Sequence, residues 1–167
     1  VMIDWLILEC WSGDIDVYEN VRFYASSQYE NGKYLYALVD MDLTMMGHDT
    51  FTVGFNNIGQ VHGIIPLALM SNPEFRDMFL TRLGELLQGG LSTQNVTDRI
   101  NELRAIVEPE TARDLARWSK DPGTLAGQMN NLLSFTSGRT GEMVSSARAY
   151  FGLSDEQMRQ YFGSLAG

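Results

Sequence analysis

The sequence predicts an α+β fold: a short β-hairpin that carries the site, followed by a mostly helical body. Three observations lead there. Two strand-forming runs, Val21 to Ser26 and Lys33 to Met41, flank Glu30-Asn31-Gly32. Asn-Gly is a strong hairpin signal because both residues tolerate positive φ. The second run ends abruptly in two carboxylates, Asp40 and Asp42. Beyond Asn72-Pro73, apolar residues recur at helical spacing between capping signals.

In chain order, Val1 to Trp11 reads as a largely buried helix, since Ile3, Leu6, Ile7 and Cys10 fall at helical spacing. A strand competes, because the run is short and apolar. Ser12-Gly13 ends it, and a polar loop to Asn20 carries Asp14, Asp16 and Glu19. Leu43 to Ile65 reads as a long loop punctuated by Gly47, Gly54, Gly59 and Gly63. Its His48 and His62 lack the spacing of a metal pair. The first body helix takes Asn72 as cap and Pro73 as first residue, buries Phe75, Phe79, Leu83, Leu86 and Leu87, and stops at Gly89-Gly90. A second helix is expected from about Thr93 to Val107, and a third from Pro109 to Trp118. Asp121-Pro122 opens the next, with Gly138 and Gly141 interrupting it before Met143 to Phe151. Leu153-Ser154 begins the last, where Ser154 with Gln157 fits a capping box and Leu153 with Met158 a hydrophobic staple. Trp5, Trp11 and Trp118 read as core anchors, and Arg113, Arg117 and Arg139 as a solvated helix face.

Composition narrows the function classes. The chain has 167 residues, 44% hydrophobic and 20% charged, which fits one soluble globular domain. Its net charge of −9 argues against nucleic-acid binding, which needs basic surface to neutralise phosphates. No apolar run approaches the ~20 residues that span a bilayer, so no membrane insertion is expected. Cys10 is the sole cysteine, which excludes an intrachain disulfide framework and a cysteine-based zinc cluster. The start at Val1 and the stop at Leu165-Ala166-Gly167 read as a fragment with N-terminal parts missing, leaving apolar surface uncovered near Val1 to Leu8.

The acids carry the chemistry. On a strand, the i and i+2 spacing of Asp40 and Asp42 points both to one face, where they can hold a divalent metal and through it a phosphate. Phosphoryl transfer needs such a clamp and a carboxylate near the incoming hydroxyl. The chain has the order used by protein kinases: helix, loop with Asp16, Asn20, hairpin, then Asp40. It departs from ordinary kinases in having three residues between Asp16 and Asn20, no His-Arg-Asp, and Asp40-Met41-Asp42 in place of Asp-Phe-Gly. Hairpin pairing is expected to bring Asp16, Asn20 and Asp40 into one metal-centred shell. Nucleotide-sugar glycosyltransferases also end an apolar strand in Asp-x-Asp, but alternating strands and helices should precede it, and here the chain turns helical afterwards.

Several stretches together resemble one family. Gly13-Asp14-Ile15-Asp16-Val17-Tyr18-Glu19-Asn20 runs into the apolar-Arg-apolar-Tyr strand Val21-Arg22-Phe23-Tyr24, and Asp40-Met41-Asp42 is followed by Gly47. Asn72-Pro73-Glu74-Phe75-Arg76, Arg82, Glu108-Pro109-Glu110 and Arg117-Trp118 follow in order. This pattern is similar to the spore coat protein CotH kinases, which are atypical protein kinases, and the likeness covers nearly the whole chain. The resemblance implies an atypical kinase C-terminal lobe whose nucleotide-binding lobe would precede Val1. Asp16 would be catalytic, Asn20 and Asp40 metal ligands and Asp42 a supporting metal-side acid. The family loop is about one residue longer, which makes Asp14 a rival to Asp16. The same resemblance implies Mg2+ or Mn2+, ATP as substrate, and Ser or Thr of a coat or surface protein as acceptor, at a spore coat, cell surface or secreted location. The alternative within the fold is a non-catalytic surface protein or pseudokinase. The piece by itself is expected to fold and to be inactive as a kinase.

Overall fold

The computed structural model describes residues 2–17, 20–46, 51, 55, 64–119 and 123–167. His48 and His62 lie outside the described residues. The chain is mostly helical with one two-stranded antiparallel hairpin, an α+β fold. No helix among the described residues is long and apolar enough to cross a membrane.

Helix α1 spans Met2–Ser12 and is the most enclosed element near the site. Trp5, Leu6, Ile7, Cys10 and Trp11 are all buried, and Met2, Ile3 and Leu8 are half-buried. The apolar surface expected to lie uncovered there is covered, because α1 packs on the hairpin and the helical body. Gly13 ends the helix with φ +67, in the left-handed region that favours glycine. Its N–H reaches the Cys10 carbonyl at 3.3 Å and the Asp14 N–H reaches Glu9 O at 3.3 Å, a Schellman ending.

Strands β1 (Arg22–Ala25) and β2 (Tyr34–Ala37) pair from Arg22↔Ala37 to Ala25↔Tyr34. The Asn-Gly turn is present, with Glu30, Asn31 and Gly32 all at positive φ, but the strands are shorter than expected. Tyr36 stacks on Trp5 at 4.9 Å and ties the hairpin to α1. After β2 the chain breaks into a single 3-10 turn, Met41–Leu43.

The body begins with α2 (Ile64–Ser71), which takes over the last two residues of the expected long loop. Helix α3 (Pro73–Gln88) is capped as the sequence predicts, the Asn72 side chain accepting from the N–H groups of Glu74 and Phe75. Phe79, Leu80, Leu83 and Leu87 form its buried face. Gly84 is needed for close approach, since a Cβ there would lie 1.9 Å from the Tyr161 carbonyl oxygen.

Two expected breaks do not occur. Helix α4 runs unbroken from Thr93 to Arg117, with Pro109 inside it. Exposed ion pairs lie on each side of the proline, Arg104 to Glu108 before it and Arg113 to Glu110 after it, and each supports its own half of the helix. Helix α5 runs from Gly123 to Phe151 straight through Gly138 and Gly141. A mid-helix glycine costs about 1 kcal/mol. Around these two, Thr136, Arg139, Met143, Val144 and Ala147 are buried, and that burial outweighs the local cost. Helix α6 (Asp155–Phe162) starts with the full capping box of Ser154 and Gln157, and both staple residues, Leu153 and Met158, are buried. Trp118, read as a core anchor, is 62% exposed at the end of α4. It sits one residue past a helix that buries none of its side chains.

Candidate functional site

The Schellman turn at the end of α1 starts the acidic loop. Asp14 is 1% exposed, and its Oδ1 accepts the Asp16 N–H at 3.1 Å, an Asx turn that holds the two acids in one geometry. Asp16 is half-buried. Its Oδ2 accepts from the Asn20 side-chain amide at 3.2 Å, while its Oδ1 is buried without a partner. Two of the expected site residues, Asp16 and Asn20, are thus directly bonded.

Behind this loop lies a third acid that the sequence reading passed over. Glu9 points inward from α1 and is 3% exposed. Burial, then the charge of Asp14, pushes its carboxyl up to about 8. Burial, then the Asp16 side chain, pushes Asp14 up to about 6. The indole N–H of Trp5 favours ionised Glu9 slightly without making a hydrogen bond of normal geometry. Among the described residues the buried polar atoms left without a partner all lie between Trp5 and Asp16: Trp5 Nε1, Glu9 Oε2, Trp11 Nε1, Asp14 Oδ2 and Asp16 Oδ1. Buried polar groups are ordinarily bonded, so their concentration in one place singles out this loop as the candidate site. Glu9 was legible only as a charge in an apolar helix, a signal that shows burial only once the partners of α1 are known.

The second acid pair is placed differently from expectation. The strand stops at Ala37, so Asp40 and Asp42 do not share a strand face. Asp40 sits at φ +58, ψ +55, in the left-handed conformation, and Asp42 lies in the 3-10 turn after it. Both are exposed. Thr44 Oγ1 closes that turn on the Met41 carbonyl at 2.8 Å. No hydrogen bond joins Asp40 or Asp42 to Asp16 or Asn20 among the described residues, and none of their His, Cys, Asp and Glu side chains gather in threes to hold a metal. The four residues expected at the site carry hard oxygen donors, the Asp16 carboxylate, the Asn20 amide and the exposed carboxylates of Asp40 and Asp42, although they are not gathered into one cluster among the described residues. Donors of this chemistry are of the kind Mg2+ or Mn2+ takes, and Mg2+ binds through as few as one or two carboxylates plus substrate phosphates.

Arg139 overturns the reading of a solvated helix face. It is 1% exposed, and its guanidinium lies 4.7 Å from the Phe135 ring centroid. Its Nε donates to Trp11 O at 2.6 Å and its Nη2 to Cys10 O at 2.7 Å. Arg113 does lie on a solvated face, with its side chain 84% exposed. The segment after β2 is anchored to the same place, through the Met45 N–H on Ser12 O at 2.7 Å. Beside this anchor, Met45, Met46, Phe135 and Glu142 border an open groove of about 470 Å³.

In comparisons with known proteins, the family model described as CotH kinase protein matches residues 1–143. No curated protein and no solved structure matches the chain.

Proposed function

Because the chain belongs to the CotH kinase protein family, we propose that it is the catalytic lobe of an atypical kinase that moves the γ-phosphoryl group of ATP to a Ser or Thr hydroxyl of a protein. The kinase character follows from the family. The observation that carries the finer reading is the Asp16–Asn20 bond at the mouth of a buried acidic cluster. It supports Asp16 over Asp14 as the group that meets the acceptor. Asp16 is half-buried, whereas Asp14 is almost wholly enclosed and turned toward Glu9.

In this reading the Asn20 amide fixes the Asp16 carboxylate, whose outer edge at Oδ2 would also accept a hydrogen bond from the acceptor hydroxyl and orient its oxygen for attack, since Oδ1 is buried. Positioning of this kind supplies much of the catalysis in phosphoryl transfer. Asn20, Asp40 and Asp42 would hold Mg2+ or Mn2+, which when bound offsets the charge on the nucleotide phosphates. The exposed carboxylates of Asp40 and Asp42 leave room for those phosphates.

The test is transfer from γ-labelled ATP to a Ser/Thr-rich protein with Mg2+ or Mn2+, using the natural full-length chain and its Asp16→Asn and Asp40→Asn variants. Metal-dependent labelling that both variants lose is the expected result. An inactive natural chain would leave a non-catalytic surface protein of the same family as the better reading.

A further inference from the structure

The end of α1 is bonded more completely than a helix end ordinarily is. An α-helix leaves its last four carbonyls without intrahelical partners. Here each has one. Glu9 O accepts from Ser12 Oγ at 3.1 Å, Gly13 N at 3.1 Å and Asp14 N at 3.3 Å. Cys10 O accepts from Arg139 Nη2 and from Gly13 N, Trp11 O from Arg139 Nε, and Ser12 O from Met45 N. Two of the four are thus held by one side chain on α5, more than 120 residues away in the chain. The guanidinium is held in turn: Phe135 lies against its face, Trp11 packs edge-on to Phe135 at 5.7 Å, and Glu142 pairs with Nη1 at 3.0 Å. A cation at a helix C-terminus also complements the helix dipole.

We propose that Arg139 is a positioning residue that clamps the C-terminal end of α1, and through it sets the Asp14–Asp16 loop and the Met45 segment against each other. Both acid-bearing segments leave from this clamp. Gly13 and Asp14 follow Ser12 directly, and Met45, three residues after Asp42, is bonded to Ser12 itself. The guanidinium fork spans two adjacent carbonyls, which a lysine ammonium cannot do with the same fixed geometry. The catalytic part of this inference rests on the kinase reading above, whereas the clamp stands on the bonds alone.

The experiment separates the two. Amide hydrogen exchange is followed in the natural chain and in R139A, R139K and E142Q, with the Leu83 amide of α3 as internal reference. In R139A, exchange at Asp14, Asp16 and Met45 should rise at least tenfold relative to Leu83. R139K should lie between R139A and the natural chain. E142Q, altered at a carboxylate whose side chain is 60% exposed, should fold in any case and show a two- to threefold rise. In the transfer assay, R139A should lose tenfold or more in kcat with KM for ATP changed less than threefold, and millimolar guanidinium ion should restore part of the rate. Unchanged exchange at these amides, in whichever of R139A and R139K folds or in E142Q if neither does, would overturn the clamp. Altered exchange with an unchanged kcat would overturn the positioning role. A natural chain with no transfer activity would count against the kinase reading and the catalytic role built on it, while the exchange arm would still decide the clamp.

Discussion

Two acid pairs of identical spacing, Asp14-Ile15-Asp16 and Asp40-Met41-Asp42, sit in opposite surroundings. The first follows a buried helix, bonds to itself and to Asn20, and backs onto Glu9. The second projects from a turn into solvent, bonded to none of the other site residues among those described. Asp-x-Asp therefore has no fixed meaning as a string. Burial turns one pair into a proton-holding cluster with Glu9, and exposure leaves the other open to solvent. Under the kinase reading proposed above, the contrast would put the acceptor-facing acid and the phosphate-facing acids in different surroundings.

The largest expected difference between the pairs is in pH dependence. Glu9 and Asp14 hold protons more tightly folded than unfolded, so the native state binds more protons between the unfolded value near 4.5 and the folded value of about 8 for Glu9. Their contribution is most favourable below that window and is lost as pH rises through it, at up to about 1.4 kcal/mol per pH unit for each group. A total loss of about 3 kcal/mol is expected in denaturant titrations from pH 5 to 8. Glu9→Gln should flatten most of that slope, and a natural chain with no slope would break the comparison.

Next comes catalysis. Asp40→Asn should lower phosphoryl transfer a hundredfold or more, about 2.7 kcal/mol in barrier. Its unfolding free energy should move by less than about 0.5 kcal/mol, because the site is exposed and Asn tolerates the left-handed backbone. Should Asp16→Asn keep near-native turnover while Asp14→Asn loses it, the roles within the buried pair are reversed.

A smaller effect sharpens the buried side. Asp14→Ala removes the acceptor for the Asp16 N–H and should cost about 1 kcal/mol at pH 5, where the carboxyl is mostly protonated. Asp14→Asn keeps an acceptor and should cost less than Asp14→Ala at pH 5. At pH 8, where it also removes a buried charge, it should be neutral or stabilising. Equal losses for the two variants in denaturant melts would show that the Asx turn does not hold the loop. The least change is expected for Asp42→Asn, under about 0.5 kcal/mol in stability and a weaker loss of rate than Asp40→Asn.

What the sequence determined by itself is the set of structures made by neighbours in the chain. The Asn72 cap, the Ser154–Gln157 box, the Gly13 ending of α1 and the Asn31-Gly32 turn each close through bonds spanning a few residues, so residue type and spacing suffice to read them. The family pattern was legible for the same reason, as an ordered series of short stretches. Tertiary structure alone decided the rest. The breaks read into α4 and α5 rested on local penalties, about 1 kcal/mol for a glycine and about 3 for a proline. In α5, burial of the flanking residues overrode that penalty. Arg139 looked like a surface charge because its partners, Cys10 and Trp11, lie over a hundred residues away. Asp14 and Asp40 looked alike because a carboxylate's surroundings are set by what packs on it, and a linear pattern carries no record of that packing.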